Sequence, residues 1–349
     1  MKRCDIVIPV WNQLDITKRC VGSILENTHY PYRLIIIDNG SDKPAKEYLK
    51  SLEGKAGLDA VIIRNEKNLG FVKAINQGIA RSDSPYICIG NNDIIVTEGW
   101  LGEMIDVIEA NTKVGIVNPS SNTSGENPAK GESIEEYAQS LKKYTGKIQE
   151  LYTCRGFCML VRREVLVAIG PLDEIYHVGY FDDTDYCKRA QAKGFKTVRA
   201  KASYVFHEGN ISFKTLNNNR GLFEKNEKVF FERWGRQVRV GYFVNKVRSS
   251  KRVDDIACSV ARGGHQISIF MKKSAEWPVT LDHYDIRRAD LGPVFPRLTS
   301  IYKIFKRRKK KKIDVVLTDD LMLGYILKIT NPMHGSEVLV NAGTAELMS

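Results

Sequence analysis

Residues 85–93 read Pro85-Tyr86-Ile87-Cys88-Ile89-Gly90-Asn91-Asn92-Asp93. A short apolar run bounded by proline and glycine reads as a strand buried on both faces. Strands of that kind belong to parallel sheets covered by helices. The polar cluster Asn91-Asn92-Asp93 follows directly at the carboxyl end. Ligands of open α/β sheets bind outside those ends. One stretch therefore predicts both a fold class and the place of a site.

The same alternation runs outward in both directions. Asp5–Val10, Arg33–Ile37, Asp59–Ile63 and Val114–Val117 read as strands. Leu14–Leu25, Pro44–Leu52, Gly70–Ala80 and Trp100–Ala110 read as helices between them. The order predicts an α/β fold with a mostly parallel sheet sandwiched by helices. Polar clusters begin at Asn12, Asp38 and Asn91, each after a strand, and should converge on one crevice. Asn118–Glu132, rich in Ser, Asn, Gly and Pro, reads as a loop. Cys154–Val161 is expected as a strand, Asp183–Ala192 as a helix with Gly194 at its cap, and Leu222–Trp234 as a closing helix. A second alternation starts near Arg236 and predicts a smaller α/β unit with its own sheet. The expected domains are 1–235 and 236–349.

The 349 residues are 43% hydrophobic, which supplies large cores and excludes a disordered or fibrous chain. No stretch of about eighteen uncharged apolar residues is present, so no spanning helix is expected, and the protein reads as cytoplasmic. The seven scattered cysteines fit reduced, buried thiols. A net charge of +12 points to anionic partners. Lys306 to Lys312 is entirely Lys or Arg; it reads as a solvated helix end, or as peripheral contact with anionic lipid at the inner face of a membrane. It lacks interleaved aromatics, and nucleic acid is not expected.

Three places could carry chemistry. Asp93 stands just past a buried strand and suits a divalent metal, although Asn-Asn-Asp alone reads as an Asx turn. Asp38 has the same standing for a nucleotide. Phe181-Asp182-Asp183-Thr184-Asp185 crowds three carboxylates before a helix. Capping accounts for one or two of them, and crowding raises the pKa of one, which suits a general base. His207, after an extended run and before Glu208-Gly209, could be a neutral nitrogen ligand.

Taken in order, these segments resemble the inverting glycosyltransferases of family 2, with the GT-A fold, over roughly residues 4 to 235. The resemblance rests on Val7-Ile8-Pro9-Val10-Trp11-Asn12, Ile37-Asp38-Asn39-Gly40-Ser41, Asn68-Leu69-Gly70-Phe71, Asn91-Asn92-Asp93, Gly156-Phe157-Cys158-Met159, Gly170-Pro171-Leu172-Asp173-Glu174, Asp182-Asp183-Thr184-Asp185 and His207. It is strongest toward rhamnosyltransferase-like and galactofuranosyltransferase-like members of cell-surface polysaccharide synthesis. It implies donor binding by Pro9, Asn12, Asp38, Asn68, Gly70, Asn91 and Asn92. It implies a Mn2+ or Mg2+ ion on Asp93 and His207, and acceptor deprotonation by Asp183, with Asp182 as its rival. The implied partners are a UDP-sugar or dTDP-rhamnose and a glycan or lipid-linked acceptor. Asn91 departs from the family's first DxD aspartate and leaves one carboxylate for the metal. Residues 236–349 resemble the N-terminal half of a GT-B glycosyltransferase, a half without the nucleotide-binding part. Two other activities fit parts of the pattern: a nucleotide-sugar-binding protein without turnover, and a nucleotidyltransferase, for which Pro9-Val10-Trp11-Asn12 is the wrong phosphate loop.

Overall fold

A computed structural model describes residues 3–209, 219–244, 249–272, 275–291, 296–305 and 312–341. Of the basic run only Lys312 lies among them; 306–311 lie outside the described residues. The chain forms two units, 1–149 with 153–234, and 150–152 with 235–349.

In the first unit the elements run β1 (Cys4–Val10), α1 (Leu14–Asn27), β2 (Tyr32–Asp38), α2 (Lys43–Lys50), β3 (Ala60–Arg64), α3 (Phe71–Arg81), β4 (Tyr86–Gly90), β5 (Ile94–Val96), α4 (Trp100–Ala110) and β6 (Val114–Ser120). Then come α5 (Ile134–Leu141), β7 (Ile148–Glu150), β8 (Cys158–Arg162), α6 (Arg163–Ile169), α7 (Asp182–Ala192), β9 (Lys196–His207) and α8 (Asn219–Trp234). The sheet order is β3-β2-β1-β4-β8-β6-β9-β5, with β7 paired to β9. β1 is parallel to β2 and β4, and β2 to β3. These central strands are buried along their length because both faces carry helices, as the unbroken apolar runs require. The core holds Ile6, Ile8, Leu34, Ile36, Cys88 and Leu160, with Trp100 seated under α1 by a hydrogen bond from its Nε1 to Thr28 Oγ1, 3.0 Å.

The sheet is mixed, a feature that no local sequence pattern announces. β8 runs antiparallel to both β4 and β6, and β5 antiparallel to β9. The strand expected from Cys154 begins only at Cys158. Residues 154–157 instead turn into the site, because Asn118 Oδ1 accepts from the Arg155 N–H at 2.5 Å and holds the chain away from the ladder.

The second unit contains β10 (Arg239–Phe243), α9 (Ser250–Arg262), β11 (Gln266–Lys272), β12 (Ile286–Leu291), α10 (Pro296–Phe305), β13 (Val315–Thr318), α11 (Leu321–Ile329), α12 (Asn331–His334) and β14 (Glu337–Val340). Its five strands are all parallel in the order β12-β11-β10-β13-β14, a doubly wound arrangement with the first strand central. Ser249 caps α9 by accepting from the Arg252 N–H. Among the described residues no helix is long and apolar enough to cross a membrane. Six of the seven cysteines are buried, and all are free thiols.

Candidate active site

β4 delivers Asn91, Asn92 and Asp93 to its carboxyl end, and the chain then turns into β5. The antiparallel register pairs Ile94 with His207, so Asp93 lies beside the last residue of β9. His207 Nε2 stands 3.0 Å from Asp93 Oδ1 and 3.4 Å from Asn91 Nδ2. The Phe157 ring stacks on the imidazole with centroids 5.1 Å apart. His207 is buried, and its Nδ1 has no hydrogen-bond partner among the described residues. A carboxylate, an imidazole and an amide thus meet at one point, a mixed oxygen and nitrogen set that suits Mn2+ or Mg2+. The described residues contain no group of three His, Cys, Asp or Glu, so the protein would supply only part of a coordination shell.

The start of α7 lines the same cavity. Tyr180 and Phe181 hold left-handed φ angles of 68° and 69°, and the earlier His177 one of 46°. Such conformations cost about 1–3 kcal/mol each and persist where the surroundings enforce them. Asn226 of α8 enforces these: its Nδ2 donates to Tyr176 O at 3.0 Å and Gly179 O at 2.8 Å. The turn aims consecutive carboxylates in different directions. Asp183 Oδ2 accepts from the Gly156 N–H at 2.8 Å, and Oδ1 from the Thr184 N–H at 2.6 Å. Asp182 is buried; burial first, then the neighbouring Asp183 charge, pushes its carboxyl up to about 8. Asp185 is fully buried and structural. It accepts from Arg189 at 2.8 Å, Arg233 at 2.7 Å and Trp234 Nε1 at 2.9 Å, which fastens α8 to α7.

The cavity is about 510 Å³ in volume. Of the residues nominated from sequence, Asn91, Asp182, Asp183 and His207 line it. Asp93 is behind them, in contact with His207. Asn92 points inward and donates to Thr17 Oγ1 at 3.0 Å.

The remaining nominees form a second polar cluster at the carboxyl ends of β1 to β3. Asp38 pairs with Arg64 and accepts from the Ser41 N–H at 2.9 Å. Ser41 Oγ accepts from the Asn12 N–H at 2.9 Å, and Asn12 Oδ1 from the Asp42 N–H at 2.8 Å. Asn68 Oδ1 accepts from Asn39 and from the Gly70 N–H, both at 2.8 Å. Gly40 lets these loops touch: its φ is +79°, and a Cβ there would lie 2.7 Å from the Lys67 backbone. Pro9 is half-buried at the end of β1.

Sequence reading passed over several lining residues. Arg155 is exposed at the cavity, its Nη1 donating to Thr123 O at 2.5 Å. Tyr180, Phe181 and Phe223 give an aromatic wall. Phe157 was read as part of a motif and not as the ring under His207.

A carboxylate, an imidazole and an acidic helix start gathered at the strand ends of this sheet narrow the family. Residues 5–170 match the model described as Glycosyl transferase family 2. Most of the first unit is thus similar to the family 2 glycosyltransferases. An uncharacterized glycosyltransferase of Nostoc sp. is 22% identical over 179 residues, 50% of this chain and 55% of that protein. Staphylococcus aureus TarS in complex with UDP-GlcNAc superposes with a TM-score of 0.50 at 12% identity, covering 67% of this chain and 66% of that one. GalNAc-T7 with UDP, GalNAc and Mn2+ gives 0.50 at 16% identity, covering 59% and 44%. The chain spans 27% and 55% of the length of the first curated relatives it matches. These structural likenesses are ones of fold, and the fold is GT-A.

In the first unit the matched span ends before Asp182, Asp183 and His207. The sheet carries them back. β9 pairs in parallel with β6 inside the span, and its end meets β5, also inside it.

Proposed function

We propose that the first unit transfers a sugar from a nucleoside-diphosphate donor to a hydroxyl of a glycan or lipid-linked acceptor, with inversion at the anomeric carbon. The observation that carries this reading is the one cavity that Asn91, His207 and Asp183 line together. The family-model match and the GT-A fold support it. Asp93, His207 and the Asn91 amide would hold a divalent cation, and a cation there would neutralise the leaving diphosphate. GalNAc-T7, of the same fold, binds Mn2+ and UDP.

Asp183 acts as the base. Two backbone N–H donors fix its carboxylate at the cavity surface, where a positioned carboxylate can take the proton of an acceptor hydroxyl. Burial and the neighbouring Asp183 charge favour the neutral form of Asp182, and the Asp182→Asn variant tests it as the rival base. A positioned base and a stabilised leaving group in one cavity fit a single displacement with an oxocarbenium-like transition state. Arg155 adds positive charge to the rim. The Asn12, Asp38 and Asn68 cluster at the ends of β1 to β3 would take the nucleoside. Contact of the Lys306–Lys312 run with anionic lipid would keep enzyme and lipid-linked acceptor on one surface.

The test is a donor screen read as nucleoside-diphosphate release, with UDP-, GDP- and dTDP-sugars and with manganese or magnesium. One donor should give metal-dependent release that Asp93→Ala abolishes. Release that Asp93→Ala leaves intact would remove the metal reading. Pyrophosphate as the product would move the protein to nucleotidyl transfer.

A further inference from the structure

β9 ends on His207, and one of its edges loses its neighbouring strand before that end. On one side β5 accompanies it, with Ile94 opposite His207, and the Glu208 N–H donates to Asp93 O at 2.9 Å. On the other side β6 stops at Ser120, whose partner is Tyr204. A buried backbone N–H and C=O left unpaired cost free energy comparable to a lost hydrogen bond.

Asn122, two residues past the end of β6, meets both groups of His207. Its Oδ1 accepts from the His207 N–H and its Nδ2 donates to the His207 O, each at 2.9 Å. One side-chain amide, with donor and acceptor on a single plane, thus stands in for the strand that has ended. The amide is itself oriented. Ser121 Oγ donates to Asn122 Oδ1 at 3.0 Å, and Ser121 O accepts from the Ser124 N–H at 2.8 Å, which closes the turn. Arg155 donates to Thr123 O and ties the same turn to the cavity rim.

The imidazole is held separately from the backbone. The Phe157 ring stacks on it with planes 15° apart, and Asp93 Oδ1 stands 3.0 Å from its Nε2. Without Asn122, the strand end that carries this ring would be paired along the β5 edge alone. Groups that orient a metal ligand are typically worth about 10- to 100-fold in metal affinity.

We propose that Asn122 is a positioning residue for the cation site, holding His207 where its ring and Asp93 can share one divalent ion. It acts through His207 and not on the ion. The proposal rests on the metal reading given above, and the experiment separates its failure from the failure of that reading.

Manganese binding to the full chain is followed by electron paramagnetic resonance of the free ion, with UDP, GDP or dTDP present and His207→Ala as the floor. Asn122→Ala should weaken binding by about 10- to 100-fold while its circular dichroism stays that of the wild type. Asn76→Ala is the structural control. Asn76 on α3 makes the same two-point contact with Leu172, donating to its O at 3.0 Å and accepting from its N–H at 3.1 Å. Its loss should lower the Tm and leave manganese affinity at the wild-type value. Should Asn122→Ala not fold, Asn122→Ser carries the same expectation, since one short hydroxyl cannot span both groups of His207. Wild-type manganese affinity in the folded Asn122 variant would overturn the proposal and leave the metal reading standing, as would an equal loss in Asn76→Ala. Manganese held equally by wild type and His207→Ala, or by neither, would overturn the metal reading and the proposal with it.

Discussion

Replacing Asp182 by asparagine removes a carboxyl whose ionisation the fold resists. Burial and the adjacent Asp183 lift it from 3.8 to about 8. Below about pH 4 folded and unfolded chains both hold the proton, and the group is silent. As pH rises the unfolded chain ionises freely while the folded one does not, so stability is lost continuously until Asp182 itself ionises near pH 8. Each pH step in that window is worth about 1.4 kcal/mol, which gives a penalty of about 4 kcal/mol at pH 7. Asparagine matches the shape of the neutral carboxyl and carries no such penalty. The gain from Asp182→Asn at pH 7 should therefore exceed its gain at pH 5 by about 3 kcal/mol. Urea unfolding at both pH values, followed by tryptophan fluorescence, measures this; Trp11, Trp100 and Trp234 belong to the first unit and Trp277 to the second. Transfer should survive the substitution. An effect on stability that does not change with pH would refute the argument, and loss of turnover with stability raised would make Asp182 the base.

Asp185→Ala leaves Arg189, Arg233 and Trp234 without their shared acceptor and should destabilise the first unit by about 3–5 kcal/mol in denaturant unfolding. Asn91→Asp restores a second carboxylate beside His207 and should lower the manganese concentration for half-maximal nucleotide binding by on the order of tenfold, read by calorimetry. Gly40→Ala places a Cβ 2.7 Å from the Lys67 backbone at a φ of +79° and should cost about 1–3 kcal/mol of stability while weakening nucleotide binding.

The two-sided burial of β1, β2 and β4 was legible because unbroken apolar runs leave no polar face to misplace. β5, three residues long, and β12, with its Arg287-Arg288 and Asp290, carry no such signature. The antiparallel insertion of β8 is a tertiary choice that local sequence does not encode. At the site, the polar residues after strands marked the right end of the sheet. What the sequence could not give was direction: Asn91 faces the cavity, Asn92 turns into the core, and Asp93 lies behind His207. Nor could it separate the three carboxylates near the start of α7. Their fates depend on Gly156, on burial, and on Arg233 and Trp234, dozens of residues away. A lone exposed arginine such as Arg155 has no periodicity to betray it.

The measurement closest to the central claim is steady-state sugar transfer by Asp183→Asn, beside donor binding by the same protein. The variant keeps one acceptor oxygen for the N–H of Gly156 or of Thr184 and sets an amide NH2 against the other, so its fold is checked by circular dichroism. Turnover should fall by about 10²- to 10⁴-fold while donor affinity stays at the wild-type value. Wild-type turnover in the folded variant would contradict the assignment of Asp183 and, with it, the cavity as the seat of the reaction.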